Sequence, residues 1–560
     1  MNTTTKSKKW KIWIAILIAF TLLIFAALYF ISYKLEPMLD KKLKEGIAKA
    51  SHGLYSLTYS DLNLDLAQGN IRLENLNLQN DRSIYLQLDK AEKAPNARFE
   101  AAAQQLSIKG VSLWGILVNK KIEISNIVLD SLKGKVVLNN RPYNNKKASK
   151  DPYSMIKESF KSLGIQKFRA EGMQIAMEDH SKQGAKPKIV KGINIAVDNF
   201  LIDENSGNDS TRFLYSKDIS IHIPEFKTNL DGAPYSLGFK ELKFSSKEKD
   251  TRISKLELMP TIDLATFAKR DELNKPRMEL SLDSVWLTGI DIHKLWKEKR
   301  LLADSAYISK GRFDLAKDKR YQLENVSKIG QSPAQQLMKV NQPFSIKTVK
   351  VKSVDLSYAQ ISDKNARQGK IDFKNIRGTL RNVTNDTTLL RRNKDMTADL
   401  VGNVYGNGTL SAFFTFDMLS KAGNFSYKGG LSAMTVNPYN KILEPLLNIR
   451  LAEGNIEKIT FDMHGNDAKN WGKFTFDYNH LKVDVLKDPE KGSGKKGILS
   501  FIANQFFIND SNPDANGKYH VAQVEYNRVP EHPFFKVVWK TLLQGIIECT
   551  GTNPKYLPGI

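Results

Sequence analysis

IEISNIVL (Ile122–Leu129), LSLDSVWL (Leu280–Leu287) and VKVKSVDL (Val349–Leu356) share one spacing of apolar residues. Apolar and polar residues alternate within each half of a stretch, as in a β-strand that buries one face. The middle step is three residues instead of two, so a β-bulge or a tight bend is needed to keep both halves on the same face. The three stretches therefore predict strands that contribute to a sheet with one apolar face.

The same alternation continues through most of the chain, which predicts a mainly β protein. The turn signals Gly69-Asn70, Asp231-Gly232, Asn407-Gly408 and Gly429-Gly430 separate the apolar runs at short intervals. This regularity predicts an antiparallel sheet that repeats a unit of two short strands. The candidates for its apolar face are Ile71, Leu73, Ile122, Ile124, Ile127, Leu129, Leu280, Leu282, Val285, Leu287, Val351 and Leu356.

The N-terminal sequence predicts a single membrane anchor over residues 12–33. Ile12–Ile31 is apolar and free of charge, and a helix of this length spans a hydrocarbon core of about 30 Å. Lysines crowd the preceding residues, so we expect residues 1–11 to stay in the cytoplasm and the body to be exported. The bulky sequence SYKLEPML follows, which disfavours a cleaved signal peptide. The candidate interfacial anchors are Trp10, Trp13, Tyr29 and Tyr33.

Changes in composition divide the rest of the chain into three parts. Residues 34–50 are predicted to form a helical neck, and residues 51–486 the β body. Polar connectors near 141–160 and 325–342 interrupt the body. Residues 487–560 are predicted to form a C-terminal cap region with apolar helices.

One helix of the cap region is predicted over Phe534–Cys549, directly after Pro533. Lys536, Lys540, Gln544 and Glu548 are spaced four apart and form a narrow polar stripe on an otherwise apolar helix. Such a helix either packs on the end of the sheet as a cap or contacts a membrane or a partner. The candidates for that contact are Phe535, Val538, Trp539, Leu542 and Ile546.

Charge and motifs favour binding over catalysis. The formal net charge is +24, which suits contact with anionic surfaces, although the basic residues are spread along the chain as on an ordinary solvated surface. The single cysteine, Cys549, cannot form an internal disulfide. The histidines do not follow a metal-ligand spacing, and Gly402–Gly408 (GNVYGNG) is typical of a hairpin and not of a phosphate loop. We therefore predict no catalytic residue, no metal and no cofactor.

Three parts of the sequence resemble the AsmA-like family of bacterial envelope proteins. They are the anchor followed by YSLTYSDLNLDLAQGNIRLENLNL (Tyr55–Leu78), then Ala101–Asp130, then a C-terminal run that includes LAEGNIEKITFDMHGND (Leu451–Asp467) and ILSFIANQFFINDSNP (Ile498–Pro513). The resemblance implies an elongated, curved sheet folded into a hydrophobic groove, anchored in the inner membrane with its body in the periplasm. It further implies that phospholipids or other acyl lipids move through the groove between membranes.

Function hypotheses from three classes follow from these observations. In the first, an apolar β-groove handles phospholipids for intermembrane transport or outer-membrane biogenesis, with the inner membrane and other envelope proteins, including those of the outer membrane, as partners. In the second, the apolar face is closed core, and the chain is a non-catalytic scaffold or assembly factor whose basic surface binds anionic partners. In the third, the chain is an envelope enzyme, for example a hydrolase that acts on glycans or lipids. No nucleic-acid partner is expected.

Overall fold

A computed structural model describes residues 37–65, 68–144, 151–180, 187–486 and 508–551. The predicted cytoplasmic tail and membrane anchor lie outside these residues, and none of the helices within them is long and apolar enough to cross a membrane. The described chain is mainly β, as predicted. It divides into a first unit, up to Asp231 plus Lys240–Thr251, and a second unit, Gly232–Phe239 plus Arg252 onward.

The strands are numbered in chain order. The first twelve are β1 (Tyr55–Thr58), β2 (Asp61–Asp65), β3 (Asn70–Asn80), β4 (Ala97–Val111), β5 (Lys121–Asp130), β6 (Lys133–Leu138), β7 (Ser162–Asp179), β8 (Lys188–Ile202), β9 (Asp218–Ile223), β10 (Phe226–Asn229), β11 (Tyr235–Phe239) and β12 (Glu241–Ser245). The others are β13 (Asp250–Pro260), β14 (Arg277–Thr288), β15 (Leu301–Asp318), β16 (Phe344–Ile361), β17 (Gln368–Thr384), β18 (Asp395–Val404), β19 (Gly408–Asp417), β20 (Phe425–Leu431), β21 (Met434–Thr435), β22 (Ile449–Gly465), β23 (Lys469–Val485) and β24 (Val521–Asn527).

The helices are short apart from the first and the last. They are α1 (Pro37–Ala50), α2 (Arg82–Lys90), α3 (Leu113–Leu117), α4 (Pro152–Ile156), α5 (Leu264–Arg270), α6 (Ile292–Lys297), α7 (Pro333–Met338), α8 (Thr387–Leu390), α9 (Asn440–Leu447) and α10 (Phe534–Cys549). Helix α10 has the bounds that the sequence predicts. Single 3₁₀ turns lie at Pro142–Asn144, Lys319–Tyr321 and Asn437–Tyr439.

Each unit contains a sheet in which consecutive strands pair for the most part. In the first unit β3 pairs antiparallel with β4, as does β7 with β8 and β8 with β9. In the second unit β14 pairs with β15, and β16 to β20 continue antiparallel in chain order. Strands β20, β22, β23 and β24 extend the same meander.

The prediction of a wholly antiparallel sheet is wrong, because each unit also contains a parallel step. Strands β5 and β6 both run parallel to β7, and β15 runs parallel to β16. A parallel neighbour requires a connection that returns the chain to the same end of the sheet. Residues 139–161 and 319–343 make these two crossovers, and the polar connectors of the sequence lie within them. Strand direction is not encoded in the alternation of side chains, so the sequence pattern could not reveal it.

The predicted irregularity at the three-residue step is confirmed in several strands. Asn75, Lys310, Ser353 and Asn375 have positive φ angles of 51°, 46°, 59° and 53°. The register of β16 against β17 shifts at the same point, between Val351 and Val354. Each bulge restores the phase, so strands β15 and β16 run uninterrupted for 18 residues each. Many strands are longer than the short strands that the sequence predicts, since β17, β22 and β23 also have 17 residues each, and a bulge lets such a strand keep one apolar face.

Three of the four predicted turns connect strands, and one does not. Gly69 precedes β3, Asp231-Gly232 lies between β10 and β11, and Asn407-Gly408 closes the hairpin of β18 and β19. Gly429-Gly430 instead lies inside β20. A Cβ atom on Gly429 would collide with the carbonyl oxygen of Ser411 on β19. This glycine permits close contact between strands and does not make a turn.

The first unit buries its apolar face under helices and loops. Its core includes side chains from the strands together with Ile47 of α1, Ile116 of α3 and Ile156 of α4. Phe160, which follows α4 in the crossover, also belongs to this core. The crossover thus covers the apolar face of the strands that it connects.

The core of the second unit is formed by β18–β24 together with α7 and α10. The ring of Phe534, at the start of α10, lies 4.8 Å from that of Phe425 and 5.8 Å from that of Phe416. Helix α7 contributes Ala334 and begins with a capping box between Ser332 and Gln335. Both helices therefore pack on the part of the sheet that follows β17.

Asp467, in the loop between β22 and β23, binds the second crossover through hydrogen bonds. Its carboxylate accepts hydrogen bonds from the Gly330 backbone N–H at 3.3 Å and from Gln335 Nε2 at 2.7 Å. It also pairs with Arg528, whose side chain is only 3% exposed and which donates to the Lys328 carbonyl oxygen at 2.7 Å. These contacts hold residues 328–335 in one place.

We predict that Asn375→Val lowers the free energy of unfolding by about 1–2 kcal/mol, because a β-branched side chain is strained at positive φ. Urea unfolding of the full chain in detergent, followed by tryptophan fluorescence, measures the change. Asn375→Gly is the matched control and should stay within about 0.5 kcal/mol of the parent. Equal losses for both variants would show that the asparagine side chain, and not the backbone angle, is what matters.

Candidate functional site

The strand register of the second unit places apolar residues of four strands in continuous rows on one face. The rows across β14–β17 are Leu280, Phe313, Leu356 and Phe373; Val285, Ile308, Val351 and Gly378; and Leu287, Ala306, Val349 and Leu380. A fourth row at one end of these strands contains Met278, Leu315, Tyr358 and Ile371. We call this surface of β14–β17 the apolar face.

The opposite face of the same strands is polar and cationic. Trp286 stacks on Tyr307 across β14 and β15 with ring centroids 5.1 Å apart. Arg252 lies 4.5 Å from the Trp286 ring, and Lys350 lies 5.4 Å from the Tyr307 ring. Serines and lysines fill most of the neighbouring positions, such as Ser309 opposite Lys352. The two faces of β14–β16 thus differ sharply in chemistry.

The predicted groove residues fall into two groups that differ in burial. Those of the first unit lie in its closed core: Ile71, Leu73, Ile122, Ile124, Ile127 and Leu129. Those of the second unit lie on the apolar face, where Leu282 is 7% exposed and the others are partly exposed: Leu280, Val285, Leu287, Val351 and Leu356. None of this second group belongs to a buried hydrophobic cluster of the described residues. The structure therefore separates a filled part of the predicted groove from an uncovered part.

The predicted contact residues of helix α10 are also divided. Val538 lies in the core of the second unit, and Leu542 and Ile546 pack against it. Trp539 is half-buried, whereas Phe535 is 66% exposed. Most of the apolar surface of α10 therefore covers the sheet as a cap, and Phe535 alone of the five projects into solvent.

One end of the apolar face carries polar and charged groups. The Tyr358 hydroxyl donates to Gln360 Oε1 at 3.0 Å, and desolvation raises the pKa of Tyr358 to about 12. Lys317 follows Leu315 by two residues on β15 and pairs in register with Gln360, so it lies on the same side of the sheet as the apolar rows. A lysine thus occupies the next inward-facing position after the last apolar row.

Further lysines gather at this end, and we call Lys317, Lys319, Lys536 and Lys540 the lysine cluster. Desolvation, followed by the charges of Lys328 and Lys319, lowers the pKa of Lys317 to about 8. Desolvation and the charges of Lys319, Lys540 and Lys317 lower the pKa of Lys536 to about 8 as well. The pKa of Lys540 is lowered by desolvation and by Lys319. Lys536 and Lys540 of the polar stripe are therefore partly desolvated and lie within electrostatic range of Lys319, which directly follows β15.

Few carboxylates offset the charge of the lysine cluster. Asp271 acts on Lys317, and Asp363 on Lys536, only as the smallest of the influences on their pKa values. Asp318 is engaged by Arg320 at 2.7 Å. Nearby His532 has its pKa lowered to about 4 by desolvation and then by Lys536 and Lys540, so it is neutral near pH 7. Within the described residues the cluster is an excess of partly desolvated positive charge.

The environment of Cys549 suits a role in packing. Cys549 is fully buried, and desolvation raises the pKa of its thiol to about 11, so it is protonated near pH 7. The described residues contain no group of three or more histidine, cysteine, aspartate or glutamate side chains that could hold a metal ion.

Comparison with protein-family models finds no family that matches the chain, and comparison with curated proteins finds no significant match. The residues and their geometry are therefore the basis for assigning a function.

Sequence reasoning did not identify the lysine cluster as part of a site. One signal was available: Lys317 continues the alternation of Phe313 and Leu315 and so occupies an inward-facing position. The stripe of Lys536 and Lys540 was recognised, but not the part of the chain that it faces. Lys317 and Lys536 are more than 200 positions apart, and the spacing of residues within a single helix does not reveal which distant strand lies near it.

We predict that Lys317→Met/Lys536→Met stabilises the protein by about 1 kcal/mol at pH 7.5, a figure reduced for partial exposure to solvent. Both folded-state pKa values are about 8, below the ordinary 10.5. Below about pH 8 both lysines are protonated in the folded and in the unfolded protein, so the full free-energy cost of placing their charges in the cluster is present. Between about 8 and 10.5 the folded state releases protons that the unfolded state keeps, so the parent gains stability as pH rises.

Thermal unfolding of both proteins at pH 7.5 and 9.5 tests this prediction. The advantage of the variant should shrink at the higher pH. The control is Lys310→Met/Lys352→Met, which changes two exposed lysines of β15 and β16 and should not raise the midpoint. If the cluster variant unfolds at the parental temperature at pH 7.5, the four lysines do not destabilise one another.

Proposed function

We propose that the chain is an AsmA-like, membrane-anchored protein that handles phospholipids and transfers them between membranes, with acyl chains on the apolar face of β14–β17. The observation that carries the proposal is that Leu280, Val285, Leu287, Val351 and Leu356 on this face are partly exposed, whereas the same pattern in the first unit is closed core. A wide apolar surface without a described cover is typical of a binding site.

The physical chemistry of the face suits acyl chains better than a polar ligand. Its rows present aliphatic and aromatic side chains, and successive rows lie two residues, or about 6.6 Å, apart along each strand, so a chain lying along the strands contacts several rows. Each methylene removed from water contributes about 0.8 kcal/mol. A lipid chain therefore gains affinity from length alone, without a specific hydrogen bond.

The proposed location rests on the sequence. The apolar segment Ile12–Ile31 and its lysine-rich flank favour an anchor in a bacterial inner membrane, with the body in the periplasm. The segments that resemble the AsmA-like family favour the same placement and a role in intermembrane lipid transport or outer-membrane biogenesis. This proposal assigns no catalytic residue, and its partners are lipids, the inner membrane and other envelope proteins.

One observation favours the alternative of a non-catalytic scaffold. Six of the twelve predicted groove residues lie in the closed core of the first unit, including Ile122 and Ile124. If the face of the second unit is also closed by a segment of this chain, the apolar pattern serves only folding. The apolar sequence of residues 497–508 is the candidate for such a cover.

Photo-crosslinking distinguishes the two proposals. We predict that p-benzoylphenylalanine at Leu287, on the apolar face, captures phospholipid in cells that express the full chain, and that mass spectrometry detects the adduct. The matched control places the same residue at Trp286, the next position on the same strand, which faces the polar side with Tyr307. The Leu287 variant should yield at least about tenfold more lipid adduct than the Trp286 variant.

Two results would contradict lipid handling at this face. One is an adduct from Leu287 to a peptide within residues 497–508, which would identify the cover as part of the chain itself. The other is equal lipid capture from both positions, which would reflect the surrounding membrane and not a site.

A further inference from the structure

We propose that the lysine cluster binds the phosphate headgroup of a glycerophospholipid whose acyl chains lie on the apolar face. This inference rests on the proposed function and deepens it, because it assigns the chemical class of the lipid, the orientation of the lipid and the residues that select it. The cluster is formed by Lys317 and Lys319, at and just beyond the end of β15, and by Lys536 and Lys540 of α10.

The position of Lys317 is the first observation in favour of a headgroup site. Lys317 belongs to the side of the sheet that carries Phe313 and Leu315, and its neighbour in register is Gln360. The last apolar row, with Leu315 beside Tyr358, therefore passes directly into a polar end with an ammonium group. An amphiphile with an apolar tail and an anionic head matches an apolar surface that ends at an ammonium group.

The mutual repulsion of the lysines is the second observation. Hydrogen bonds place the segment after β15 beside the segment before α10, since the Lys328 N–H donates to the Pro530 carbonyl oxygen and Arg528 donates to the Lys328 carbonyl oxygen, both at 2.7 Å. After desolvation, the charge of Lys319 contributes to the lowered pKa values of Lys317, Lys536 and Lys540. Like charges that share a partly desolvated site destabilise the folded protein. A phosphate among them would replace repulsion by charge-assisted hydrogen bonds. With pKa values of about 8, Lys317 and Lys536 are mostly protonated near pH 7, and a bound anion favours this protonated state.

Among the described residues, nearby carboxylates offset the charge of the lysine cluster only weakly, since Asp271 and Asp363 are the last of the influences on the pKa values of Lys317 and Lys536. Asp318 pairs with Arg320, and Asp467 pairs with Arg528. Lys328, which is 5% exposed, donates its ammonium group to the Leu273 carbonyl oxygen and its backbone N–H to the Pro530 carbonyl oxygen at 2.7 Å. Lys328 thereby fixes the crossover beside the cluster. The local carboxylates of these pairs are already engaged, so the charge of the cluster is left for a ligand.

The test compares two lipids that share one fluorescent acyl chain and differ only in the headgroup. Phosphatidic acid carries the phosphate, and diacylglycerol lacks it. Each is titrated into the purified full chain in a nonionic detergent at pH 7, and anisotropy gives the affinity. We expect Lys317→Gln/Lys536→Gln/Lys540→Gln to bind phosphatidic acid at least about tenfold more weakly than the parent, with diacylglycerol affinity unchanged.

The charge-matched control is Lys310→Gln/Lys352→Gln/Lys473→Gln, which removes three exposed lysines elsewhere in the second unit. This control should bind phosphatidic acid as the parent does. Thermal unfolding of each variant establishes that its fold is retained. A loss shared by the control would attribute the effect to net charge and overturn the assignment to the cluster.

The remaining outcomes separate this inference from the proposed function. If both lipids bind and the cluster variant binds both like the parent, the headgroup assignment is wrong while lipid handling stands. If neither lipid binds the parent, lipid handling fails and the inference fails with it. If glycerol 3-phosphate displaces phosphatidic acid at similar concentration, the cluster is a site for soluble phosphates and the inference is overturned.

Discussion

A single-layered sheet with one apolar face must cover that face, and the second-unit site depends on this constraint. Strand pairing satisfies the backbone, but it leaves a row of apolar side chains exposed on every strand. In the first unit α1, α3 and a crossover supply the cover. In the second unit α7 and α10 cover β18–β24, whereas several apolar residues of β14–β16, such as Val285, Leu287 and Val351, remain partly exposed. The same sequence pattern therefore has two outcomes, which differ in what lies opposite the sheet.

The local part of this architecture can be predicted from the sequence because its causes are local. Alternation predicts the strands, the three-residue step predicts the bulges that the structure has at Ser353 and Asn375, and the polar stripe predicts helix α10. The parallel steps of β7 and β16 could not be predicted, since side-chain alternation is the same in either strand direction. The burial of Ile122 and the partial exposure of Leu287 also depend on distant segments, such as Ile156 for the first of these two residues.

The two crossovers determine both the direction of the next strand and which part of the sheet is covered. A parallel step forces the chain to return across the sheet, and the returning segment has apolar residues of its own to bury. In the first unit Ile156 and Phe160 lie in this returning segment, and their side chains pack in the core. In the second unit residues 328–335 are instead fastened to Asp467, and Ala334 packs with the strands that follow β17. The second crossover thus covers one part of the sheet and borders the other.

At the end of the apolar face the lysine cluster changes the surface from apolar to cationic. Lys317 occupies an inward-facing position, and desolvation followed by the charges of neighbouring lysines lowers the pKa values of Lys317 and Lys536, so the protonated cluster costs stability. Stability lost at a site is typical of groups arranged for a ligand. A lipid has the two properties that this region lacks, an apolar body for the rows and an anion for the ammonium groups. On the proposed function, one amphiphilic ligand accounts for both the partly exposed face and the repelling lysines.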